Sequence, residues 1–414
     1  MIISSRHSAL SHNVFFKALF VLILMLGFAG CSSNSKKQTV RPQKNRVHQT
    51  DAKKQFILRN VWVKDTLSKM NTGFRKVNRM SPLIYDKWII QGNSIDGISL
   101  HNATTGATVW KINVLNGAET PGLVFKRNLY IGGNDGKFYS ISLPDGKGNM
   151  GGTIEWVLDT KTENLGEPSL DSDEGVVYFQ NGLGTLYAIE ASNGRIVWTY
   201  NRQDTNQFSI RGNSKPTLTK DLVLNGFSDG SLVAFQKKTG SVVWEAFLNK
   251  NKRFKDVDST PVVDGDSVYV QAFDEQLYAV SLADGLVRWK SPYGGYYGVL
   301  IDQNRIYAST TDGAVVALNK KNGELIWKYV ETDGLPTQVK PYKGMIVFGE
   351  SAGSLKFLEP DKGSLVGSFE PGRGILSIPS VDQQNSRVYF ISNEGNLWAM
   401  EALYAEYGTF YPHH

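Results

Sequence analysis

Two aspartates set two residues apart, Asp256 and Asp258, are the densest candidate chemistry in the chain, within Asp256-Val257-Asp258-Ser259-Thr260-Pro261. In extended chain, side chains at i and i+2 point to the same side. Two carboxylates so placed could work as an acid–base pair or hold a cation. Neither a nucleophile, a histidine nor a further carboxylate cluster accompanies them. Three readings stay open: acid–base or cation chemistry, capping of a local turn, and charge offered to a partner. A second candidate lies upstream in Asn206-Gln207-Phe208-Ser209-Ile210-Arg211-Gly212. Phe208 and Ile210 offer apolar groups there. Arg211 offers a guanidinium, for a partner or for a bridge to the two aspartates inside the molecule. The third candidate is Cys31, the single cysteine, which follows Phe28-Ala29-Gly30.

Much chemistry is excluded. Of the six histidines, His7, His12, His48, His413 and His414 lie near the ends, and only His101 lies within the body of the chain. No zinc or transition-metal ligand set can be built from them. No Gly-x-Ser-x-Gly elbow, phosphate loop or calcium-binding loop pattern occurs. A lone cysteine permits no intramolecular disulfide, so sheet pairing and burial must hold the fold. Neither a cofactor nor a metal is expected, and the residues point to a non-enzymatic protein.

The elements that position these candidates repeat. Glycine and tryptophan stand four residues apart in Gly106/Trp110, Gly152/Trp156, Gly194/Trp198, Gly240/Trp244, Gly285/Trp289 and Gly323/Trp327; in a seventh set, Gly363/Gly367, the tryptophan is missing. Successive tryptophans are 46, 42, 46, 45 and 38 residues apart. A period of this length marks one supersecondary unit stacked on its copies. Each unit has three β-branched runs joined by turns of the Asp312-Gly313 kind, a hairpin signal. Turns of this kind recur at Asp96-Gly97, Asp135-Gly136, Gly184, Asp229-Gly230, Asp274, Gly353 and Glu394-Gly395, which makes eight units. The eighth, 387–403, lacks a last strand, and Val61-Trp62-Val63 near the other end can supply it. The expected fold is therefore all-β, an eight-bladed propeller of four-stranded antiparallel blades over 56–403, closed by the N-terminal strand. One tryptophan per blade would fill the wedge between neighbours. A tail, 404–414, follows.

The spacing also places the candidates. Phe208, Ile210 and Arg211 fall in a long connection, 199–221, and the aspartates in another, 245–263. Both lead from the outermost strand of one blade to the innermost of the next. They belong to successive junctions of one rim, so they are expected as neighbours.

Residues 1–30 are expected to be a signal peptide. Arg6 and Lys17 precede an apolar run, 18–29, too short to span a membrane comfortably. The small residues before Cys31 fit signal-peptidase cleavage. Residues 31–55 then form a basic tether carrying Lys36, Lys37, Arg41, Lys44, Arg46, Lys53 and Lys54 against Asp51 alone. Removing Arg6 and Lys17 takes the formal charge from +6 to +4, most of it in the tether. The ring is near neutral, which argues against nucleic acid as a partner. The tether can lie along anionic head groups.

Two resemblances follow. The run Asn322-Gly323-Glu324-Leu325-Ile326-Trp327 resembles the repeats of pyrroloquinoline-quinone dehydrogenases. Those enzymes are larger and carry a vicinal cysteine pair, which a single cysteine excludes, so the likeness is one of blade architecture. The run before Cys31 resembles the bacterial lipoprotein box, with Phe28 where leucine is usual; this implies lipid on Cys31, and Ser32 after it implies outer-membrane sorting. Together, this signal, the basic tether, eight blades, Phe208-Ser209-Ile210-Arg211-Gly212 and Asp256-Val257-Asp258-Ser259-Thr260-Pro261-Val262 resemble the BamB family of outer-membrane protein assembly factors over essentially the whole mature chain. The resemblance implies a non-enzymatic lipoprotein subunit of the machine that folds β-barrels into the outer membrane, on its periplasmic face. It implies contact with the POTRA domains of the central subunit BamA through Phe208, Ile210, Arg211, Asp256 and Asp258. Other Bam subunits would be met indirectly, and unfolded outer-membrane protein clients are further candidate partners. The family has leucine where Phe208 stands, a change of shape that keeps apolar character. The rival readings are a quinoprotein-type periplasmic enzyme and a glycan-binding propeller.

Overall fold

Short β-branched runs separated by Gly, Asp and Asn turns build sheets, and the computed structural model contains eight of them, each with four antiparallel strands. It describes residues 54–67, 78–164, 166–202, 214–249, 256–273, 276–330 and 332–406, with no helix among them. Cys31, Phe208, Ile210, Arg211 and the expected turn at Asp274 lie outside the described residues. The first blade comprises Leu83–Tyr85, Trp88–Asn93, Gly97–Asn102 and Thr108–Asn113, hydrogen-bonded in chain order. Six more blades repeat this order.

First strands of adjacent blades touch: Ser169–Asp171 meets Thr217–Leu218, and Ser380–Asp382 meets both Lys340–Tyr342 and Leu83–Tyr85. First strands therefore ring the centre. Second and third strands are covered on both faces by neighbouring blades, and the second strand Trp88–Asn93 is buried along its whole length. Continuous apolar runs such as Val176–Gln180 suit that double burial. Fourth strands lie outermost and are half-exposed, as in Ile196–Asn201.

Every fourth strand carries a bulge at the same place, opposite the third strand. The extra residue comes just before the tryptophan position, as Val109 does before Trp110 and Val61 before Trp62. A bulge twists the strand and re-aims the next side chain. Here it aims the indole at the following blade. Trp62 donates its indole N–H to the Ala103 carbonyl at 2.9 Å, Trp156 to Ala191 at 3.1 Å, Trp244 to Leu282 at 2.9 Å and Trp327 to Pro360 at 2.8 Å. The repeat's glycine receives the ring face of the preceding blade's tryptophan. At Gly106, φ is +72° and a Cβ would lie 2.8 Å from Trp62 Cε3, so both backbone and space require glycine. The glycine and tryptophan four residues apart thus serve two different junctions.

Closure uses both ends of the chain. Lys54–Asp65 pairs antiparallel with Asn396–Glu406 as the outer strand of the eighth blade. Tyr404, Ala405 and Glu406 pair with Phe56, Gln55 and Lys54, so the strand continues into the segment expected as a tail. The seventh blade, which lacks a tryptophan, is completed from this strand. Phe56 is 2% exposed, and a Cβ on Gly367 would lie 2.5 Å from its Cδ1. The Phe56 ring also meets Phe357 at a centroid distance of 5.3 Å.

Candidate functional site

The Asp256-Val257-Asp258 segment leads into the first strand of the fifth blade, Val262–Asp264. Val257 is fully buried in the core between the fourth and fifth blades. Its N–H donates to the Phe227 carbonyl at 3.1 Å. The chain comes so close that a Cβ on Gly226 would lie 2.0 Å from the Val257 oxygen. The Asp256 carbonyl accepts from Phe273 N–H at 3.1 Å. Ser259 Oγ donates to the Gln271 carbonyl and accepts from Gln271 N–H, at 2.8 and 2.9 Å. This segment is stitched into the scaffold, and it carries Asp256 inward to 1% exposure.

Asp258 keeps part of its surface. Protein nevertheless surrounds it, and burial pushes its carboxyl well above the usual carboxylate range, with the nearby Asp256 charge adding to the effect. The same-side placement expected from an i, i+2 spacing is thus felt as repulsion between the pair. Two carboxylates this close resist ionising together. Of the two, only Asp258 can meet a partner without the segment moving.

The connections holding the candidates are rooted together. Arg202, the residue before 203–213, pairs with Asp229 and with Glu245 of the fourth blade. Its guanidinium lies 5.7 Å from the Phe227 ring centroid and 5.5 Å from that of Phe247. On the far side of the two connections, Ser214 Oγ donates to the Ser259 carbonyl at 3.0 Å. Both ends of 203–213 are therefore tied to the residues that flank 250–255. Phe247 is 56% exposed, a large apolar ring at the base of this face. Sequence reasoning missed Arg202, Asp229, Glu245 and Phe247. Their ion pairs span 27 and 43 residues, which no local spacing reports. The available signal was position alone, since Arg202 ends an outer strand and Asp229 belongs to a repeat turn.

His101, the histidine of the described residues, is not poised for acid–base work. It is fully buried between Ser99 Oγ at 2.8 Å and Thr108 Oγ1 at 3.2 Å. Burial first, then Lys64 and Lys111, lower its pKa to about 4. It is neutral at physiological pH and serves as a polar link between strands. Among the described residues, no group of three or more His, Cys, Asp or Glu side chains is arranged to hold a metal ion.

The profile of a family described as "Outer membrane protein assembly factor BamB" matches residues 96–329 and 299–406. The protein of that name from Escherichia coli is 25% identical over 309 residues, covering 70% of this chain and 76% of that protein. Its namesake from Moranella endobia is 23% identical over 384 residues, covering 88% of this chain and 95% of the other. Among solved structures, BamB from Moraxella catarrhalis superposes with a TM-score of 0.68 at 21% identity, over 83% of this chain and all of that one. A quinohemoprotein alcohol dehydrogenase from Pseudomonas putida superposes with a TM-score of 0.64 at 13% identity, a likeness of fold alone. The eight closed blades and the family profile agree, and the chain belongs to the outer membrane protein assembly factor BamB family.

Proposed function

We propose that this chain is a non-enzymatic scaffold of outer-membrane β-barrel assembly, held at the periplasmic face of the outer membrane by lipid on Cys31. We further propose that the face formed by 203–213 and 248–261 binds the POTRA domains of the central barrel subunit. The observation that carries this reading is the common root of the two connections at Arg202, Asp229 and Glu245. Connections rooted on a rigid scaffold commonly carry function. Phe208, Ile210 and Arg211 are the proposed contacts on one connection and Asp258 on the other. Asp256 acts from beneath, by fixing the course of the segment. Other subunits of the assembly machine are met indirectly, and unfolded outer-membrane protein chains are further candidate partners.

The test measures POTRA affinity and melting temperature on the same variants. A desolvated arginine at an interface costs about 2 kcal/mol on truncation, roughly a thirtyfold loss in affinity. Arg211→Ala should show that loss at an unchanged melting temperature. Asp258→Ala should weaken binding several-fold without lowering stability, because it relieves the crowding of two carboxyl groups. Asp256→Ala should lower the melting temperature, since the residue is buried. Unchanged affinity in Arg211→Ala and Asp258→Ala would remove this face from the site. A bridge between Arg211 and the aspartates inside the molecule would instead lower stability and leave affinity per folded molecule as it was.

A further inference from the structure

The first strands enclose a cavity of about 420 Å³ at the centre of the ring, bounded by blades 1, 2, 3, 7 and 8. A second, of about 370 Å³, adjoins the first strands of blades 2, 3 and 4. The wall of the larger cavity is mostly apolar, with Leu83, Ile378 and four prolines among its residues. Its charged groups are Glu167 and Lys340. Lys215, on the wall of the smaller cavity, forms an ion pair with Glu167. One carboxylate thus stands against two ammonium groups and is already engaged by one of them. Among the described residues Lys340 has neither an ion pair nor a hydrogen bond. Burial lowers its pKa; Glu167 opposes that effect, and Lys215 adds to it.

The other uncharged polar side chains on this wall each have a hydrogen-bond partner in the protein. Gln338 Nε2 donates to the Gly298 carbonyl and Gln383 Nε2 to the Pro341 carbonyl, each at 2.8 Å. Ser380 Oγ donates to the Pro82 carbonyl, and Ser81 Oγ accepts from Ile378 N–H at 3.1 Å. Lys340, half-buried, is left with three donors and a positive charge on a wall that is largely apolar. A partly desolvated charge without a partner carries a cost, and a bound counter-ion offsets it. The excess is a single charge with Glu167 close by. A dianion such as phosphate would meet too little positive charge and a repelling carboxylate. Binding pockets commonly combine an apolar wall with few polar anchors at volumes of roughly 300–1,000 Å³.

We propose that the central cavity binds one carboxylate attached to a compact apolar body, with Lys340 as its counter-ion. The carboxylate could belong to a free organic acid or to the carboxy terminus of a peptide, and the experiment separates these sources. The purified full chain in a nonionic detergent is titrated calorimetrically with sodium hexanoate, with hexan-1-ol, and with a tetrapeptide ending in valine, free or amidated at its C-terminus. At least one carboxylate should bind at one site per chain, while hexan-1-ol and the amidated peptide should bind at least tenfold more weakly. Binding of the free peptide but not of hexanoate assigns the site to chain termini, and the reverse assigns it to small acids. Lys340→Met should reduce carboxylate binding at least tenfold and raise the melting temperature of the unliganded protein; Lys340→Arg should retain binding. If Lys340→Met fails to fold, Lys340→Gln carries the same comparison. No binding of either carboxylate, equal binding of hexan-1-ol, or undiminished binding in the Lys340 variants would overturn the proposal.

Discussion

Exchanging the residues at positions 56 and 367 tests how the ring is completed where the repeat fails. In seven blades a tryptophan of the fourth strand packs on a glycine of the next blade. The seventh blade has Gly367 in that slot, and Phe56 fills it from the eighth blade. Phe56→Ala removes a buried ring and should cost roughly 3–5 kcal/mol. Gly367→Trp writes the repeat residue back in. Its backbone does not oppose this, because Gly367 is not among the residues with positive φ. Space does, because a Cβ would lie 2.5 Å from Phe56, and overpacking of this kind costs about 1–3 kcal/mol or more. In the double variant the indole occupies the volume that Phe56 vacates. The two losses should therefore not add, and the double variant should exceed Phe56→Ala in stability by about 2 kcal/mol. Rescue should stop short of wild type. At six of the seven other junctions the indole N–H finds a carbonyl in the next blade's third turn, but the eighth blade has no such turn, because its third and fourth strands come from opposite ends of the chain. A donor left without a partner costs about 1–3 kcal/mol. Equilibrium urea unfolding of the four proteins, followed by tryptophan fluorescence and circular dichroism, gives the coupling energy. Additive losses would refute the view that Phe56 stands in for the missing tryptophan.

Two further outcomes follow from the same junctions and from the buried histidine. Trp62→Ala removes the contact with Gly106 and the hydrogen bond to Ala103, and should cost about 3 kcal/mol, toward the low end for a large ring because the indole is half-buried; a melting curve equal to wild type would mean that the ring closes without it. For His101, the folded pKa lies near 4 against 6.5 in the unfolded chain, so the unfolded state binds the extra proton between those values. Stability should fall as pH drops from about 6.5 to about 4, by about 3 kcal/mol from this residue at the bottom of the window. His101→Gln should flatten that stretch of a melting-temperature profile, and an unchanged slope would show that other groups set the acid sensitivity.

Architecture was legible because the repeat writes the same contacts many times. A Gly-x-x-x-Trp spacing and an Asp-Gly turn in each unit are enough to count blades, and a half unit at each end is enough to infer closure. The partner of each residue was not legible. Gly106 and Trp110 stand together in sequence, yet Gly106 packs on Trp62 and Trp110 donates to Met150. Phe56 carried no signal, because its slot is defined by an absence at Gly367 that lies 311 residues away. At the candidate face, the alternation of the aspartates was readable, whereas the depth of Asp256 was not. That depth comes from Gly226, whose missing side chain lets the Val257 backbone enter the core and draws Asp256 in with it. The Arg202 cluster was hidden for a related reason, since its ion pairs join strands of different blades.

Closure by the chain ends also sets where the last outer strand stands relative to the Arg202 cluster. The outer strand that begins at Lys54 belongs to the eighth blade, and the Arg202 root lies at the junction of the third and fourth. In a closed ring of eight, the fourth blade stands opposite the eighth. Lys54, where that strand begins, therefore stands across the ring from Arg202. Twenty-two residues separate Cys31 from Lys54, a reach of at most roughly 80 Å when fully extended. The pairing of Lys54–Asp65 with Asn396–Glu406 thus serves two ends at once. It completes the last blade, and it sets Lys54 across the ring from Arg202.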